Sequence, residues 1–576
     1  MPKRLAQLFL ALLFTSTFSL NAVAQPSVRT VNLDTKIATA APDELFRVLI
    51  GMDSQRTFSS SEVASMRLAE RQVFVAQEVI AHAEQSQQHV LRVLRRAERQ
   101  GHADDIRSIA IANVISARVT RSVVEEIELL QGIRRIDHDG PQSEALSSDN
   151  AVIPLDSQTL LDVSRLHATP LWPITGSLPE WGVAKINAPQ LWNRGIRGDG
   201  TLVAVIDSGC DFGHPDIANQ LWDPVDQNGN TLWFDVNNDG TQNVGETLVQ
   251  PGWNTVEDNN KPCTNCGTNT NTHGQNVAGI IVGNGAEGKA TGVAPDARLL
   301  CIRGIPDGGG TQADMMEAVD FLLRMKAQWL SDFEMPDVVN MSAGSLFAGI
   351  PDYAGWRTIS DRLLSEGVLF VAAGGNTGTE TGGDCSRLTD SSNPIPYNIQ
   401  APANVPPPWL HPNQPTPAGS GPHVSAVLAV GAVDQSDQRW SYSSRGPSAW
   451  EDIRATHSCQ DDMPPAFRDF PQATAPLLKP DVVGPSDPLA GSTLHTTGLC
   501  TSPTGALQGS LCSDPYETFG GTSAATPHVA GVVLLMNQVK PDLSPAEVAE
   551  AIQMSAIHPN HLPGQTQETH PIKDNF

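Results

Sequence analysis

Basic residues are scarce in this chain. Against 63 aspartates and glutamates stand 37 lysines and arginines, a formal net charge of −26 over 576 residues. That balance excludes nucleic acid and other polyanions as partners and says nothing, alone, about chemistry. Cysteine is absent from the whole N-terminal third: all eight (Cys210, Cys263, Cys266, Cys301, Cys385, Cys459, Cys500 and Cys512) lie beyond residue 200. Also missing is an unbroken apolar run of the ~20 residues that a membrane span requires. The nearest approach, LAQLFLALLF after Lys3 and Arg4, is interrupted by Thr15, Ser16, Thr17 and Ser19. With Ala22-Val23-Ala24 behind it, this is a charged, an apolar and a cleavage region in order, so it predicts export with cutting after Ala24. The residue immediately after that point is Gln25 and not a cysteine, which argues against a lipid anchor.

In an exported chain cysteines read first as disulfides. Eight allow 105 pairings, so the connectivity stays open. Cys500 and Cys512, which flank a Gly/Ser/Thr loop, are the preferred local pair. Cys263-Thr-Asn-Cys266 lacks the second pair a zinc site needs, and reads as disulfide before metal.

What is present falls into two textures. From about residue 60 to 100 the chain has hydroxyl caps, recurrent apolar positions and neither Gly nor Pro until Gly101, which predicts one long helix. NVISARV follows as a strand, TRSVVEEIELL as a helix capped by Thr120, and GIRRIDHD as a strand after Gly132. These make a small α/β domain over residues 25–140. Residues 141–180 read as a linker. Beyond it, GTLVAVIDSG, ARLLCIRGI, DVVNMSAGS, GVLFVAAGGN and HVSAVLAVGAVD are apolar runs ending in Gly, Ser or Asp. Such runs predict buried parallel strands with functional residues at their C-terminal ends. No internal repeat is evident.

Three segments carry reactive side chains. VAVIDSG places Asp207 at the end of a buried strand, NTHGQNVAGI places His273 at a helix start, and FGGTSAATPHVAG places Ser523 after two glycines and before an apolar helix. A serine hydroxyl becomes a nucleophile when an imidazole accepts its proton, and the imidazole needs a buried carboxylate to hold its tautomer. Gly520 and Gly521 permit the tight turn that exposes the hydroxyl. The helix behind it offers free N–H groups to a developing oxyanion. Taken singly, each residue has a plainer reading as a cap or a structural side chain.

Together, and in this order, the segments resemble the subtilisin-like serine proteases (subtilases) over roughly residues 181–555. AVGAVDQSDQRWSYSSRGP and LKPDVVGP resemble further blocks of that family. The resemblance implies a subtilisin-like doubly wound parallel sheet flanked by helices, preceded by a small α/β, ferredoxin-like propeptide domain. It implies that Ser523 attacks a peptide carbonyl, His273 shuttles the proton, Asp207 orients the imidazole and Asn376, in VAAGGNTG, donates to the oxyanion. Ser342, Ala343 and Gly344 would pair with an extended substrate, and Ala373 and Gly374 would line the S1 pocket, where the family usually has alanine at the second position. The family also reads HGTHVAG where this chain has HGQNVAG; Gln275 and Asn276 replace a threonine and a packing histidine, a departure in support rather than in chemistry.

DVNNDGTQNVGE has oxygen donors at calcium-loop spacing: Asp235, Asn237, Asp239, the Thr241 carbonyl, Asn243 and Glu246, with Gly240 at the sharp turn. Pro251-Gly252 excludes a flanking helix, so this is a calcium-loop mimic without an EF-hand pair; an Asn/Gly-rich solvated turn is its alternative. Many subtilases carry a similar insert before a GWN segment, here Gly252-Trp253-Asn254. The family's closing G-x-G-x-x-N-A segment does not follow LSPAEVAEAIQMSA, which implies a different closure of the fold or a sequence that stops short of it. The combined expectation is a signal peptide (1–24), a propeptide (25–140), a linker with the maturation site (141–180) and a peptidase domain (181–576). It would be a secreted, monomeric, calcium-stabilised endopeptidase acting on polypeptides, with its propeptide as intramolecular inhibitor and no membrane contact after signal removal. The rival expectation is an inactive subtilase fold that binds peptides.

Overall fold

Two mostly apolar segments, FRVLIGM and VISARV, form the centre of the first sheet of the computed structural model. The structure describes residues 28–63, 65–140, 178–235, 241–242, 246, 248–262, 271–306, 309–345, 351–379, 397–406, 427–446, 448–449, 479–487, 494–498 and 516–556. The N-terminal elements are α1 (Val31–Thr39), β1 (Phe46–Met52), α2 (Ser60–Val63), α3 (Leu68–Glu98), β2 (Ala103–Ile109), β3 (Val114–Val119), α4 (Arg121–Ile127) and β4 (Ile133–His138). The strands form one antiparallel sheet in the order β2-β3-β1-β4. The expected long helix is divided, with α2 separate from the 31-residue α3. Thr120 stands at the N-cap of α4, but its side chain makes no capping bond there; it meets Ser122 instead.

The second sheet arises from the near-continuous apolar runs. After β5 (Leu178–Pro179), α5 (Trp181–Lys185) and α6 (Ala188–Trp192) come β6 (Leu202–Asp207), β7 (Gly252–Asn254), α7 (His273–Val282), β8 (Lys289–Ala290) and β9 (Arg298–Arg303). Then follow α8 (Gln312–Trp329), β10 (Val338–Met341), α9 (Tyr353–Ser365), β11 (Leu369–Ala373), β12 (Val427–Val433) and β13 (Val482–Pro485). A hairpin of β14 (His495–Thr497) and β15 (Tyr516–Thr518) leads into α10 (Thr522–Val539), and α11 (Pro545–Ser555) ends the described part. Seven strands pair in parallel in the order β13-β12-β11-β10-β6-β9-β7. Every residue of β6 is buried, as a strand covered on both faces must be. α7 and α10 pack in the core on one face, α8 and α9 in the core on the other. Chain order reverses between β6 and β10, so the C-terminal ends of these strands frame a crevice suited to a site.

The antiparallel sheet docks on α8 and α9 through charges. Arg134 holds the Asp352 carboxylate with both guanidinium nitrogens, at 2.9 and 2.8 Å. Arg107 reaches Asp314 at 2.9 Å and Glu317 at 2.7 Å. Asp139 accepts from the backbone N–H groups of Gln312 (3.0 Å) and Ala313 (3.2 Å), sitting at the positive end of α8. From the other side Asp320 accepts from the N–H of Ile111 at 2.6 Å, and Arg362 donates to the carbonyls of Ala110 and Ile111.

Candidate active site

Asp207 ends β6 with its side chain wholly buried, and its Oδ1 lies 2.8 Å from Nδ1 of His273. An ionised carboxylate can only accept, so Nδ1 carries the proton of that bond and Nε2 is left as a basic nitrogen. The N–H of Ser208 donates to the same carboxylate oxygen at 2.7 Å. His273 opens α7 and is held from its own backbone, where its N–H donates to Asn271 Oδ1 at 3.0 Å. The ring of Phe519 meets the imidazole edge-on, with centroids 5.2 Å apart. Glycine at 274 is compulsory: a Cβ there would lie 2.3 Å from the carbonyl oxygen of Gly209, so only glycine lets α7 come this close to the end of β6.

Ser523 sits in the first turn of α10, entered through Gly521 at φ 80°, a left-handed conformation that glycine adopts without strain. Its hydroxyl donates to the carbonyl of Ser342 at 3.1 Å, and the Ser342 hydroxyl returns a bond to the carbonyl of Ser523 at 3.1 Å. The bond of the Ser523 hydroxyl therefore runs to Ser342, just past β10, and not to His273. Catalytic hydrogen bonds of this kind commonly form only with substrate in place.

Asn376, two residues beyond Gly374, is exposed, and its Oδ1 accepts from both the N–H (3.0 Å) and the hydroxyl (2.8 Å) of Thr522. With the carbonyl committed to Thr522, the amide nitrogen has no hydrogen-bond partner among the described residues. It lies where a Cβ on Gly521 would come within 3.1 Å of it. Ser342, Ala343 and Gly344 follow β10, and beside it Ala373 ends β11 and Gly374 follows, in register through Met341 and Ala372. Gly344 is pressed against residue 401, whose carbonyl oxygen a Cβ would meet at 2.6 Å. The N–H of Gln400 donates to the carbonyl of Gly374 at 3.1 Å.

Gln275 and Asn276 are fully buried. Gln275 Oε1 accepts from the N–H of Asp211 at 2.7 Å while its Nε2 donates to the Thr497 hydroxyl at 3.1 Å. Asn276 Nδ2 donates to the carbonyl of Thr497 at 2.9 Å and to the carboxylate of Glu517. Both amides thus fasten α7 to the β14–β15 hairpin. Sequence reasoning did not find Ser208, Asn271, Thr497, Glu517 or Phe519. Ser208, Asn271 and Phe519 stand inside the quoted segments VAVIDSG, NTHGQNVAGI and FGGTSAATPHVAG, whereas Thr497 and Glu517 stand in none.

Asp235 and Glu246, the outer members of the proposed calcium loop, are both buried, and Thr241 is exposed. Asn237, Asp239 and Asn243 lie outside the described residues. Among the described residues no group of three or more His, Cys, Asp or Glu side chains could hold a metal. One disulfide is described, Cys210–Cys301, and it ties the segment just past Asp207 to β9. The expected pair Cys500–Cys512, and Cys263 with Cys266, fall outside the described residues. Among the described residues no helix is long and apolar enough to cross a membrane.

The sequence matches the family model of the subtilases over residues 198–573. It is 24% identical over 485 residues to bacillopeptidase F of Bacillus subtilis (strain 168), covering 82% of this chain and 26% of that protein. To the major intracellular serine protease of the same organism it is 30% identical over 223 residues, covering 38% of this chain and 55% of the relative. The chain therefore spans between a quarter and just over half the length of these two relatives. The solved structure of fervidolysin from Fervidobacterium pennivorans aligns with 89% of this chain and 57% of its own, at 17% identity and a TM-score of 0.48.

Proposed function

Because the chain belongs to the subtilase family, we propose that it is a serine endopeptidase that cuts peptide bonds through an acyl-enzyme. The observation that carries this reading is the buried Asp207–His273 bond at 2.8 Å, with Phe519 against the imidazole four residues ahead of Ser523 in the first turn of α10. In that reading Ser523 rotates from the Ser342 carbonyl toward Nε2 of His273, which takes its proton as the hydroxyl attacks the substrate carbonyl. His273 then gives the proton to the leaving amine, and Asp207 balances the charge on the ring. The amide nitrogen of Asn376 and the backbone N–H of Ser523 receive the oxyanion. Loss of one such donor costs on the order of 10²–10³ in turnover. The ends of β10 and β11 hold the peptide, with Ser342, Ala343 and Gly344 pairing with its backbone and Ala373 and Gly374 flanking its P1 side chain. The rival reading of an inactive binding fold drew on Gln275 and Asn276, and both amides are spent on Asp211, Thr497 and Glu517, away from the reacting groups.

The same proposal makes residues 1–24 a signal peptide and residues 25–140 a propeptide that inhibits the enzyme until cut in the 141–180 linker, giving a secreted monomer. Support comes from the N-terminal sequence and from the ionic docking of the antiparallel sheet on α8 and α9. Structural calcium belongs to it as well. Asp235 and Glu246 are buried carboxylates at the first and twelfth loop positions, donors of the hard-oxygen kind that calcium takes. A bound ion would neutralise them and brace the loop ahead of β7; chelation that leaves the melting temperature unmoved would remove it from the proposal.

The main test compares the exported chain with Ser523→Ala. Wild type should react with a fluorophosphonate at Ser523 and show an N-terminus within the linker, and the variant should do neither. Wild type that stays uncut and unlabelled would sink the reading.

A further inference from the structure

We propose that Asn276 and Glu517 act as a positioning pair that sets the catalytic imidazole against the segment delivering the nucleophile. The proposal rests on the serine-peptidase reading of the site. Asn276 lies three residues after His273, on the same side of α7. Its amide nitrogen spends one hydrogen on the Thr497 carbonyl at 2.9 Å and the other on Oε1 of Glu517. Its oxygen accepts from the hydroxyl of Thr272, the residue immediately before His273, at 3.4 Å. The first turn of α7 is fastened to the same hairpin by its carbonyls, which accept from the hydroxyls of Thr497 (onto Gln275, 3.0 Å) and Thr496 (onto Asn276, 2.7 Å).

Glu517 lies on β15, and the chain leaving it goes directly through the reacting groups. Two residues on, Phe519 sets its ring against the His273 imidazole. Two more bring Gly521 at its left-handed turn, and Ser523 follows. The bond from Asn276 to Glu517 therefore joins the helix that carries the base to the strand that carries the nucleophile. It is a bond to a charged acceptor, which is stronger than one between neutral groups. Asparagine has a particular fitness for it. An NH₂ group serves two acceptors at once, whereas a neutral imidazole at 276 would have one N–H for the two.

A pair of this kind acts on turnover rather than on substrate affinity. Small misplacements of reacting groups cost up to about 10²-fold in rate, while the peptide is held elsewhere, at the ends of β10 and β11. The test uses the matured enzyme obtained from the full chain, with each preparation titrated by a fluorophosphonate so that turnover is expressed per reactive Ser523. Glu517→Ala and Asn276→Ala should each lower kcat on a peptide anilide by about tenfold or more, with KM within about twofold. The double variant should be no slower than the slower single one, because both break one bond. Glu517→Gln, which keeps an acceptor oxygen, should restore most of the loss. Three results would overturn the pair: unchanged kcat per titrated site in Glu517→Ala, additive losses in the double variant, or Glu517→Gln as slow as Glu517→Ala. A purely structural role would lower the titratable fraction and the melting temperature while leaving kcat per site alone. Wild type that fails to titrate would instead strike at the peptidase reading, and the pair would fall with it.

Discussion

Two buried polar contacts hold this molecule's parts in register, and they are built from opposite chemistry. Where the antiparallel sheet meets α8 and α9, the groups are charged: Arg134 with Asp352, Arg107 with Asp314 and Glu317, Asp139 at the start of α8, Arg362 under the Ala110 and Ile111 carbonyls. Where α7 meets the β14–β15 hairpin, the donors are neutral amides and hydroxyls from Gln275, Asn276, Thr496 and Thr497, and Glu517 is the single carboxylate. Charges taken out of water incur a large desolvation cost that their partners offset only while every partner is in place. A contact of that type responds to pH and is well suited to being undone. Neutral hydrogen bonds have no such dependence, and they suit a joint that must stay fixed through catalysis. The contrast is the one that the proposed removable propeptide and the proposed positioning pair each require.

The largest effect should come from breaking one ionic pair. Arg134→Ala leaves the Asp352 carboxylate, 2% exposed, without the guanidinium that holds it well below the usual carboxylate range. Breaking such a pair costs about 3–5 kcal/mol when it is fully buried, and about 2–3 kcal/mol here because Arg134 is partly solvated. Urea unfolding of the unprocessed Ser523→Ala chain, with and without Arg134→Ala, measures it. A loss no larger than that of a surface substitution would mean the docking does not depend on its charges.

Next in size is a pH effect at Asp139. Burial, helped by the charge of Asp314, pushes its carboxyl up to about 7. A carboxylic acid whose pKa is raised in the folded state holds its proton more tightly there than in the unfolded chain. Its contribution is therefore complete below the ordinary value near 4 and is lost as pH rises from about 4 to about 7. Asp139→Asn keeps an acceptor oxygen for the Gln312 and Ala313 N–H groups and removes the titration. The stability of the unprocessed chain should then fall less between pH 4 and 7 than it does with Asp139. Parallel curves for the two would remove Asp139 from the pH response. Glu317, also pushed up to about 7 by burial, would continue to contribute in both.

The sequence made the candidate site residues legible because each stands where backbone geometry restricts the choice. Asp207 closes a run of buried β residues, Gly274 is dictated by the Gly209 carbonyl, and Gly521 by its left-handed turn. The parallel strands were legible for the same reason, since burial on both faces leaves an apolar signature. Short or polar strands left none. β2, ADDIRSI, carries three charged residues and is a strand only because β3 pairs with it, and β7 is three residues that β9 organises. Glu517 was invisible for a further reason. It lies 241 positions from Asn276, and no local pattern links an amide on one element to a carboxylate on another at that separation. HGQNVAG alone shows a departure from the family, and the hairpin that explains it is supplied only by the fold.

The smallest of these effects is the one that isolates the neutral joint. Gln275→Ala removes an oxygen that accepts from the buried N–H of Asp211 and an amide that donates to the Thr497 hydroxyl. Losing these two buried hydrogen bonds costs about 1–2 kcal/mol. Because backbone N–H, amide and hydroxyl do not titrate, the loss measured on the matured enzyme should be the same at pH 5 and pH 9. A loss that grew toward either end would show that Gln275 is coupled to one of the nearby charges, Asp207 and Glu517 first among them. The difference drawn between a titrating dock and a non-titrating joint would then be wrong at the residue that should show it most plainly.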